Sequence, residues 1–316
     1  MTDVLALGEL LIDFTQEQTD TDGYPVLHAH PGGAPANFLA TLQNFGLKTA
    51  LIGKVGTDAF GELLIGTLNG LGMDTSGVKK DPDAFTTLAF VTLNRDGERC
   101  FSFSRKPGAD TGLRKDELDF RMIDETALFH FGTLSMTDEP AKSATVAAVE
   151  YAERKGKRIS FDPNYRAPLW KNAEDAKRAM CYGLEHADIV KISDEEVGFL
   201  FSMTPEEGAD YIFRQYEKPK LVLVSCGKDG CQFRNRNGSG SVPAMRVSAV
   251  DSTGAGDIFF GSFLFRLQKS GKQPEELNGE ELSEMLSFAC RAAGLSVQRP
   301  GGIPSIPELS EVERTF

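Results

Sequence analysis

Asp257 follows two glycines and an alanine in the segment AVDSTGAGDIFFGSFL, residues 249–264, and strongly apolar residues follow it. Apolar residues recur at helical spacing as far as Leu267, which predicts a helix that begins near Gly254 or Ala255. The first turn of a helix binds anions well, because it presents free N–H groups and the positive end of the helix dipole. An adjacent carboxylate that accepts a hydroxyl proton completes the requirements of phosphoryl transfer. Alternatively, Asp257 only stabilises the helix N-terminus.

A second glycine-rich turn precedes a predicted helix in the segment HPGGAPANFLATLQNFG, residues 30–46. Gly32 and Gly33 stand before the helix, and Asn37 lies in or near its first turn. Bare backbone and a side-chain amide suit a small polar ligand, and Asp13, after the first predicted strand, can accept hydrogen bonds from hydroxyl groups. Alternatively, this is a glycine turn with a helix-start asparagine, and Asp13 is an ordinary loop residue.

Polar residues also follow three later predicted strands, in the segments SFDPNYRAPLW, VKISDEEVGFL and LVLVSCGKDGC. Ligands of open parallel sheets collect at the carboxyl ends of strands, which gives these residues functional interest. The polar residues are Asp162, Asn164, Arg166, Glu195, Glu196 and Ser225, and the last segment adds Gly227 and Gly230. The glutamates can reach Mg²⁺ directly or through water, and the last segment can hold a nucleotide. Alternatively, Arg166 forms a surface salt bridge, the glutamates begin a solvated helix, and the last segment is a tight turn between strands.

Short apolar strand patterns alternate with amphipathic helix patterns along the chain. The strand patterns cover residues 4–7, 50–52, 128–131, 159–161, 189–192 and 221–225, and the clearest intervening helix patterns cover 141–156, 173–187 and 204–217. This alternation predicts an α/β fold, in which helices cover both faces of a parallel sheet.

Two segments interrupt the alternation, at about residues 14–31 and 85–106. The second reads as strand, turn and strand, with Asp96-Gly97 as a hairpin signal. We expect the two segments to form a small antiparallel sheet that acts as a lid over a site. A surface hairpin without a role is the alternative.

The composition excludes several classes of protein. A net charge of −12 over 316 residues argues against nucleic acid or an anionic membrane as the main partner. The five cysteines form no C-x-x-C pair, the four histidines show no metal-ligand spacing, and neither a Walker motif nor a dinucleotide fingerprint occurs. An acidic N-terminus without a long apolar run predicts a soluble cytoplasmic protein.

The chain resembles the ribokinase/PfkB family of carbohydrate kinases over essentially its whole length. The resemblance rests on PGGAPANFLATLQNFGLKTALIGKVGTDAFG and on DSTGAGDIFFGSFL. Within the family, the chain is most similar to fructokinases, through PGGAPAN, LAFVTLNRDGER, FDPNYRAPLW and VKISDEEV. The resemblance implies one kinase domain over residues 1–316, a ribokinase-like three-layer sandwich with a mostly parallel central sheet and a small β-sheet lid. It also implies MgATP-dependent phosphorylation of the fructose 6-hydroxyl.

The resemblance further implies a role for each candidate site residue. The catalytic base is Asp257, and the anion hole consists of the amides of Gly254, Ala255 and Gly256. The sugar-binding positions are Asp13, Gly32, Gly33 and Asn37, with Arg105 and Arg166 as further substrate-binding residues. The nucleotide side comprises Asn164, Lys191, Ser225, Gly227 and Gly230. Glu196 lies near Mg²⁺ and reaches it through water, and a monovalent cation, usually K⁺, is expected at Asp251, Thr253 and Ser305.

Two positions depart from the family pattern. Ser193 stands where the family's N-x-x-E motif begins with asparagine, and Cys290 stands where relatives often carry an asparagine close to the adenine. Fructokinases often have the serine form of the first motif, so Glu196 keeps its expected role.

Three other functions stay open. A 2-keto-3-deoxygluconate kinase shares the fold and the base, and Arg105 and Arg166 could then grip the carboxylate of its substrate. Ribokinase and other sugar kinases follow, and a non-catalytic sugar sensor is the alternative from a different class. FSRKPGAD favours fructose, and the intact GAGD argues against a sensor. A homodimer that pairs through the lid is expected from the family.

Overall fold

The computed structural model describes residues 1–93 and 99–314, without the side chains of residues 17, 93 and 99–101. The strands in this part of the chain are β1 (Thr2–Leu7), β2 (Leu11–Thr19), β3 (Pro25–Gly32), β4 (Thr49–Gly56), β5 (Asp74–Asp81), β6 (Leu88–Leu93), β7 (Arg99–Ser104), β8 (Thr126–Gly132), β9 (Arg158–Asp162), β10 (Ile189–Ser193), β11 (Leu221–Ser225), β12 (Cys231–Asn235) and β13 (Gly238–Val242). The α-helices are α1 (Ala34–Asn44), α2 (Ala59–Gly70), α3 (Phe120–Asp124), α4 (Ala141–Arg154), α5 (Ala173–His186), α6 (Asp194–Phe201), α7 (Pro205–Gln215), α8 (Ala255–Ser270), α9 (Gly279–Ser296) and α10 (Leu309–Arg314).

Most of these strands form one large sheet, in the order β13-β12-β11-β10-β9-β8-β1-β4-β5. Every adjacent pair from β11 to β5 is parallel, and only β12 and β13 join antiparallel. The six strands predicted from apolar patterns are β1, β4, β8, β9, β10 and β11. The predicted mostly parallel α/β fold is therefore confirmed.

The sheet separates two apolar cores, because successive strand residues point to opposite faces. In β1, Val4 and Ala6 belong to the core that α1, α8 and α9 complete. Leu5 and Leu7 belong to the core on the other face, which α4, α5 and α7 complete. Burial on both faces explains why β1 is a continuous apolar run, and it gives the three layers of the sandwich.

A small second sheet has the order β3-β2-β6-β7 and arises from the two segments that interrupt the alternation. The β2–β3 and β6–β7 pairs are antiparallel as expected, but β2 and β6 pair in parallel. Both strands continue from parallel strands of the large sheet, since β2 follows β1 and β6 follows β5, and so they run in the same direction. The expected Asp96-Gly97 turn lies outside the described residues, and the role of this sheet as a lid stays a prediction.

The helix predicted to begin near Gly254 or Ala255 is α8, which begins at Ala255. Gly254 stands at its N-cap with φ 75°, and Gly271 ends it with φ 67°. Both angles lie in the left-handed region that glycine adopts at little cost. In the described part of the chain, no helix has both the length and the apolarity to cross a membrane.

Gly183 of α5 offers a direct test of how closely the helices pack on the sheet. A Cβ atom at this position would lie 2.1 Å from the ring of Phe161 in β9, which is fully buried. We expect Gly183→Ala to destabilise the protein by about 1–3 kcal/mol through overpacking. Gly66→Ala is the control, because this helical glycine has open space around it. Unfolding in urea should give a lower midpoint for Gly183→Ala alone; equal midpoints for both variants would contradict the packing described.

Candidate active site

Asp257 lies in the first turn of α8 and meets the second glycine-rich turn of the sequence. The Asn37 side-chain amide donates a hydrogen bond to the Asp257 carboxylate, with 2.9 Å between Nδ2 and Oδ2. A Cβ atom at Gly254 would lie 3.1 Å from the Gly302 Cα and 3.2 Å from Asn37 Nδ2. The starts of α1 and α8 therefore approach closely, and glycine is required at the contact.

Burial sets the proton affinity of the Asp257 carboxyl. Loss of solvation raises its pKa from 3.8 to about 7, and the negative charge of Asp162 acts in the same direction. The Asn37 hydrogen bond, Lys191 and Arg166 oppose this rise. A carboxyl group with a pKa near 7 is suited to general base catalysis at neutral pH.

Lys191 brings a buried positive charge to the glycine turn. Its ammonium group donates to the Asp162 carboxylate, with 2.9 Å between Nζ and Oδ2. A Cβ atom at Gly256 would lie 3.1 Å from the same Nζ. Burial alone would lower the pKa of Lys191, but the charges of Asp162 and Glu196 raise it above its usual value. The turn thus combines a helix N-terminus with a charged ammonium group, an arrangement that attracts phosphate.

Glu196 is buried at the start of α6. Its Oε2 accepts from the Ser193 backbone N–H at 2.8 Å, and the Ser193 hydroxyl accepts from the Glu196 N–H at 3.2 Å. This reciprocal capping explains how serine replaces the family's asparagine. Glu196 Oε1 accepts from the Tyr165 N–H at 2.6 Å, which ties α6 to the end of β9. Glu195 is exposed, so the solvated helix start considered as an alternative describes Glu195 but not Glu196.

The acidic groups at this edge fit a metal that is held mainly through water and phosphate. In the ranges 1–93 and 99–314, no three His, Cys, Asp or Glu side chains form a ready metal site. Each carboxylate oxygen has more than one acceptor position, so Glu196 can still accept a hydrogen bond from a metal-bound water. Mg²⁺ keeps several waters and binds substrate phosphates in this way.

The expected sugar side lies where β2 meets β3. A Cβ atom at Gly32 would lie 2.1 Å from Asp13 Oδ2, and at Gly33, with φ 107°, it would lie 2.5 Å from the Glu9 carbonyl oxygen. Burial raises the pKa of Asp13 to about 7, with Arg166 lowering it and Asp257 raising it. Arg166 and Asp257 therefore lie close enough to Asp13 to act on its carboxyl group electrostatically.

The two arginines differ in their surroundings. Arg166 is half-buried, and its guanidinium donates to the Tyr165 carbonyl oxygen at 3.0 Å. Arg105 is buried at the end of β7, where it donates to the Asp110 carboxylate, the Thr137 hydroxyl and the Leu134 carbonyl oxygen. These bonds engage most of the five N–H groups of Arg105. Arg105 is thus anchored in the wall of the site, and its contact with substrate stays a prediction.

The expected nucleotide segment is a tight turn between strands. Ser225 ends β11 opposite Ser193 of β10. Gly227 and Gly230, with φ 50° and 100°, then turn the chain into the antiparallel strand β12. The alternative considered from the sequence therefore describes the local structure correctly. A nucleotide role for this turn, and for Asn164 at the end of β9, stays a prediction.

The expected cation residues gather around one loop. Asp251 accepts from the Thr253 and Gly301 N–H groups, each at 2.8 Å, and the Ser305 hydroxyl donates to the Gly302 carbonyl oxygen at 2.8 Å. Gly302 also packs on Asn37, because a Cβ atom there would lie 2.5 Å from Asn37 Oδ1. The loop thus supports the Asn37–Asp257 contact, and its occupation by K⁺ stays a prediction.

Three residues without a role assigned from the sequence line a small pocket together with Asn164 and Asp257: Glu9, His130 and Asp162. His130 stacks on Phe38 with 4.1 Å between ring centroids, and burial lowers its pKa to about 3, so it is neutral. Glu9 follows a strand, so the strand-end rule could have found it, whereas the rule did point to Asp162 at the end of β9 but gave it no role. His130 lies inside a buried strand, and its pattern carries no functional signal.

The chain matches the model of the "pfkB family carbohydrate kinase" over residues 1–309. The chain belongs to this family of carbohydrate kinases. It is 38% identical over 316 residues to the "Probable fructokinase-5" of Arabidopsis thaliana, a match that covers 98% of this chain and 96% of the relative. It is 40% identical over 314 residues to "Fructokinase-1" of Zea mays, with 98% of this chain and 96% of the relative covered.

Solved structures of fructokinases are also similar to this pfkB family member. The Xylella fastidiosa fructokinase with bound ATP superposes with a TM-score of 0.89 at 32% identity, over 98% of this chain and 97% of the other. The Vibrio cholerae O395 fructokinase in its fructose, ADP and calcium ion bound form gives a TM-score of 0.87 at 27% identity, over 99% and 98%. The ribokinase-like fold expected from the sequence is thereby confirmed.

The Asn37–Asp257 hydrogen bond predicts a specific pH effect. If the ionised Asp257 carboxylate is the base that the sequence predicts, kcat/KM should fall as the pH drops through about 7, the pKa of Asp257. Asn37→Ala removes a donor that favours the ionised form, and the fall should begin about one pH unit higher.

The measurement is kcat/KM for ATP-dependent sugar phosphorylation between pH 5 and 9. Asn44→Ala, at the other end of α1, is the matched control, since Asn44 bonds the Pro307 carbonyl oxygen far from the base. An unchanged midpoint in Asn37→Ala would contradict the role of this hydrogen bond.

Proposed function

We propose that the protein is a fructokinase that transfers the γ-phosphoryl group of ATP to the 6-hydroxyl of D-fructose. The observation that carries the proposal is the buried Asn37–Asp257 pair at the glycine turn of α8, in a chain whose relatives are named fructokinases. Among the described residues, Asn37 Oδ1 is a buried acceptor without a partner, and a sugar hydroxyl would satisfy it.

In the proposed reaction, Asp257 accepts the hydroxyl proton as the sugar oxygen attacks the γ-phosphorus atom. The bond between that phosphorus and the bridging oxygen breaks, and ADP leaves with the electron pair. The N–H groups of Gly254 and Gly256 and the ammonium group of Lys191 stabilise the developing negative charge. The Ala255 N–H donates to the Ser252 carbonyl oxygen at 3.2 Å, and it joins them once that bond is exchanged for phosphate. Asp13 and Asn37 hold the sugar so that its hydroxyl faces Asp257.

A divalent metal supports this chemistry by neutralising phosphate charge. We infer Mg²⁺ with Glu196 as a ligand through water, and K⁺ at the Asp251–Ser305 loop. A cytoplasmic location, one domain over residues 1–316 and a homodimer that pairs through the small sheet also stay predictions.

The Asp257 assignment can be tested against a purely structural role. Asp257→Ala should lower kcat by about 10³-fold, because general base catalysis contributes on the order of 10²–10⁴-fold. Asp175→Ala is the matched control, since Asp175 holds the same position in the first turn of α5 but is not buried. If both variants retained wild-type turnover, Asp257 would be a helix-stabilising residue and not the base.

Substrate choice separates fructose from the competing sugars. ADP release with MgATP should be fastest with fructose, when compared with 2-keto-3-deoxygluconate, glucose and ribose, and the product should be the 6-phosphate. A preference for the keto acid would overturn the fructose assignment and give Arg166 a carboxylate to bind. Sugar binding without ADP release would favour a sensor.

A further inference from the structure

Glu9 is a buried carboxylate that the proposed reaction does not use. It follows β1 at the carboxyl edge of the large sheet, retains 3% of its accessible surface, and lines the pocket that contains Asp257. Burying a carboxylate is costly unless its partners compensate, so a specific contact must explain why Glu9 is there.

The first contact of Glu9 is with the sugar-side turn. Glu9 Oε1 accepts from the Ala34 backbone N–H at 2.9 Å. Ala34 is the first residue of α1 and follows Gly32 and Gly33 directly. The backbone of Glu9 supports the same turn, because its carbonyl oxygen leaves room only for glycine at position 33. One residue therefore holds this turn through both its side chain and its backbone.

The second contact of Glu9 is electrostatic. Burial raises the pKa of Glu9 to about 7, its hydrogen bonds and the Arg105 charge oppose the rise, and Asp110 adds to it. Arg105 directly follows β7 and is paired with Asp110, whose other carboxylate oxygen accepts from the Thr87 hydroxyl just before β6. The start of β6 and the end of β7, two strands of the small sheet, are thus anchored beside Glu9.

We propose that Glu9 is a positioning residue for the sugar: its carboxylate holds the Gly32–Ala34 turn in the geometry that binds fructose. The inference rests on the proposed sugar side of the site. Glu9 acts through the turn and not on the reacting atoms. Lys191 and Asp162, on β10 and β9, make their own ion pair apart from this turn.

Two conservative variants separate the effect of the Glu9 side-chain length, which allows the hydrogen bond with Ala34, from the effect of its charge. Glu9→Gln keeps an oxygen that can accept from the Ala34 N–H but removes the charge, whereas Glu9→Asp keeps the charge but is too short to reach it. We expect Glu9→Asp to raise the fructose KM by about tenfold or more, because a buried N–H loses its acceptor, and Glu9→Gln to raise it by less than about threefold. The ATP KM and the unfolding midpoint should stay close to wild type in both.

The measurement is steady-state kinetics with fructose and ATP varied separately, with Asp13→Asn assayed in parallel. A fructose KM that is unchanged in Glu9→Asp but raised in Asp13→Asn would overturn the role of Glu9 and leave the sugar site in place. Equal increases in Glu9→Gln and Glu9→Asp would also overturn it, since retaining an acceptor for the Ala34 N–H would then give no advantage. If Asp13→Asn and Glu9→Asp both left the fructose KM unchanged, the proposed sugar site itself would be wrong.

Discussion

The hydrogen bond between Asn37 and Asp257 is the contact on which the site depends. It joins the first turns of two helices whose residues lie 220 positions apart, and it lies in the buried interior. A buried carboxylate needs a donor, and the donor must approach from a neighbouring backbone. Glycine at positions 254 and 302 permits that approach, since any side chain there would meet the other turn. The same contact keeps Asp257 ionisable near neutral pH, where a general base is useful.

The parallel sheet supplies the remaining groups. Strands β1, β8, β9, β10 and β11 run in the same direction, so their carboxyl ends share one edge. Asp162 on β9 and Lys191 on β10 form a buried ion pair near that edge, and Lys191 lies next to Gly256. The Asp162 carboxylate fixes the Lys191 ammonium group beside the glycine turn, where we expect it to attract phosphate. The desolvation of this ion pair is tolerable because both groups are hydrogen bonded.

Local patterns in the sequence predicted much of this arrangement. Continuous apolar runs predicted six strands of the large sheet, and the glycine turn followed by helical spacing predicted the start of α8. The contacts between distant segments could not be predicted, because no local pattern encodes them: Asn37 with Asp257, Glu9 with Ala34, and the parallel pairing of β2 and β6. Arg105 shows the same limit, since its sequence context suggests a ligand-binding arginine, whereas its bonds to Asp110 and Thr137 depend on the folded chain.

We expect burial and the Asn37 contact together to give Asp257 the pKa that a general base needs. Direct titration of the Asp257 carboxyl group tests this expectation. Aspartate carboxyl groups labelled with ¹³C can be followed by NMR across the pH range in the wild type and in Asp257→Asn. The signal that is absent from the variant belongs to Asp257. It should titrate with a pKa of about 7. A midpoint at the ordinary aspartate value of 3.8 would contradict the account.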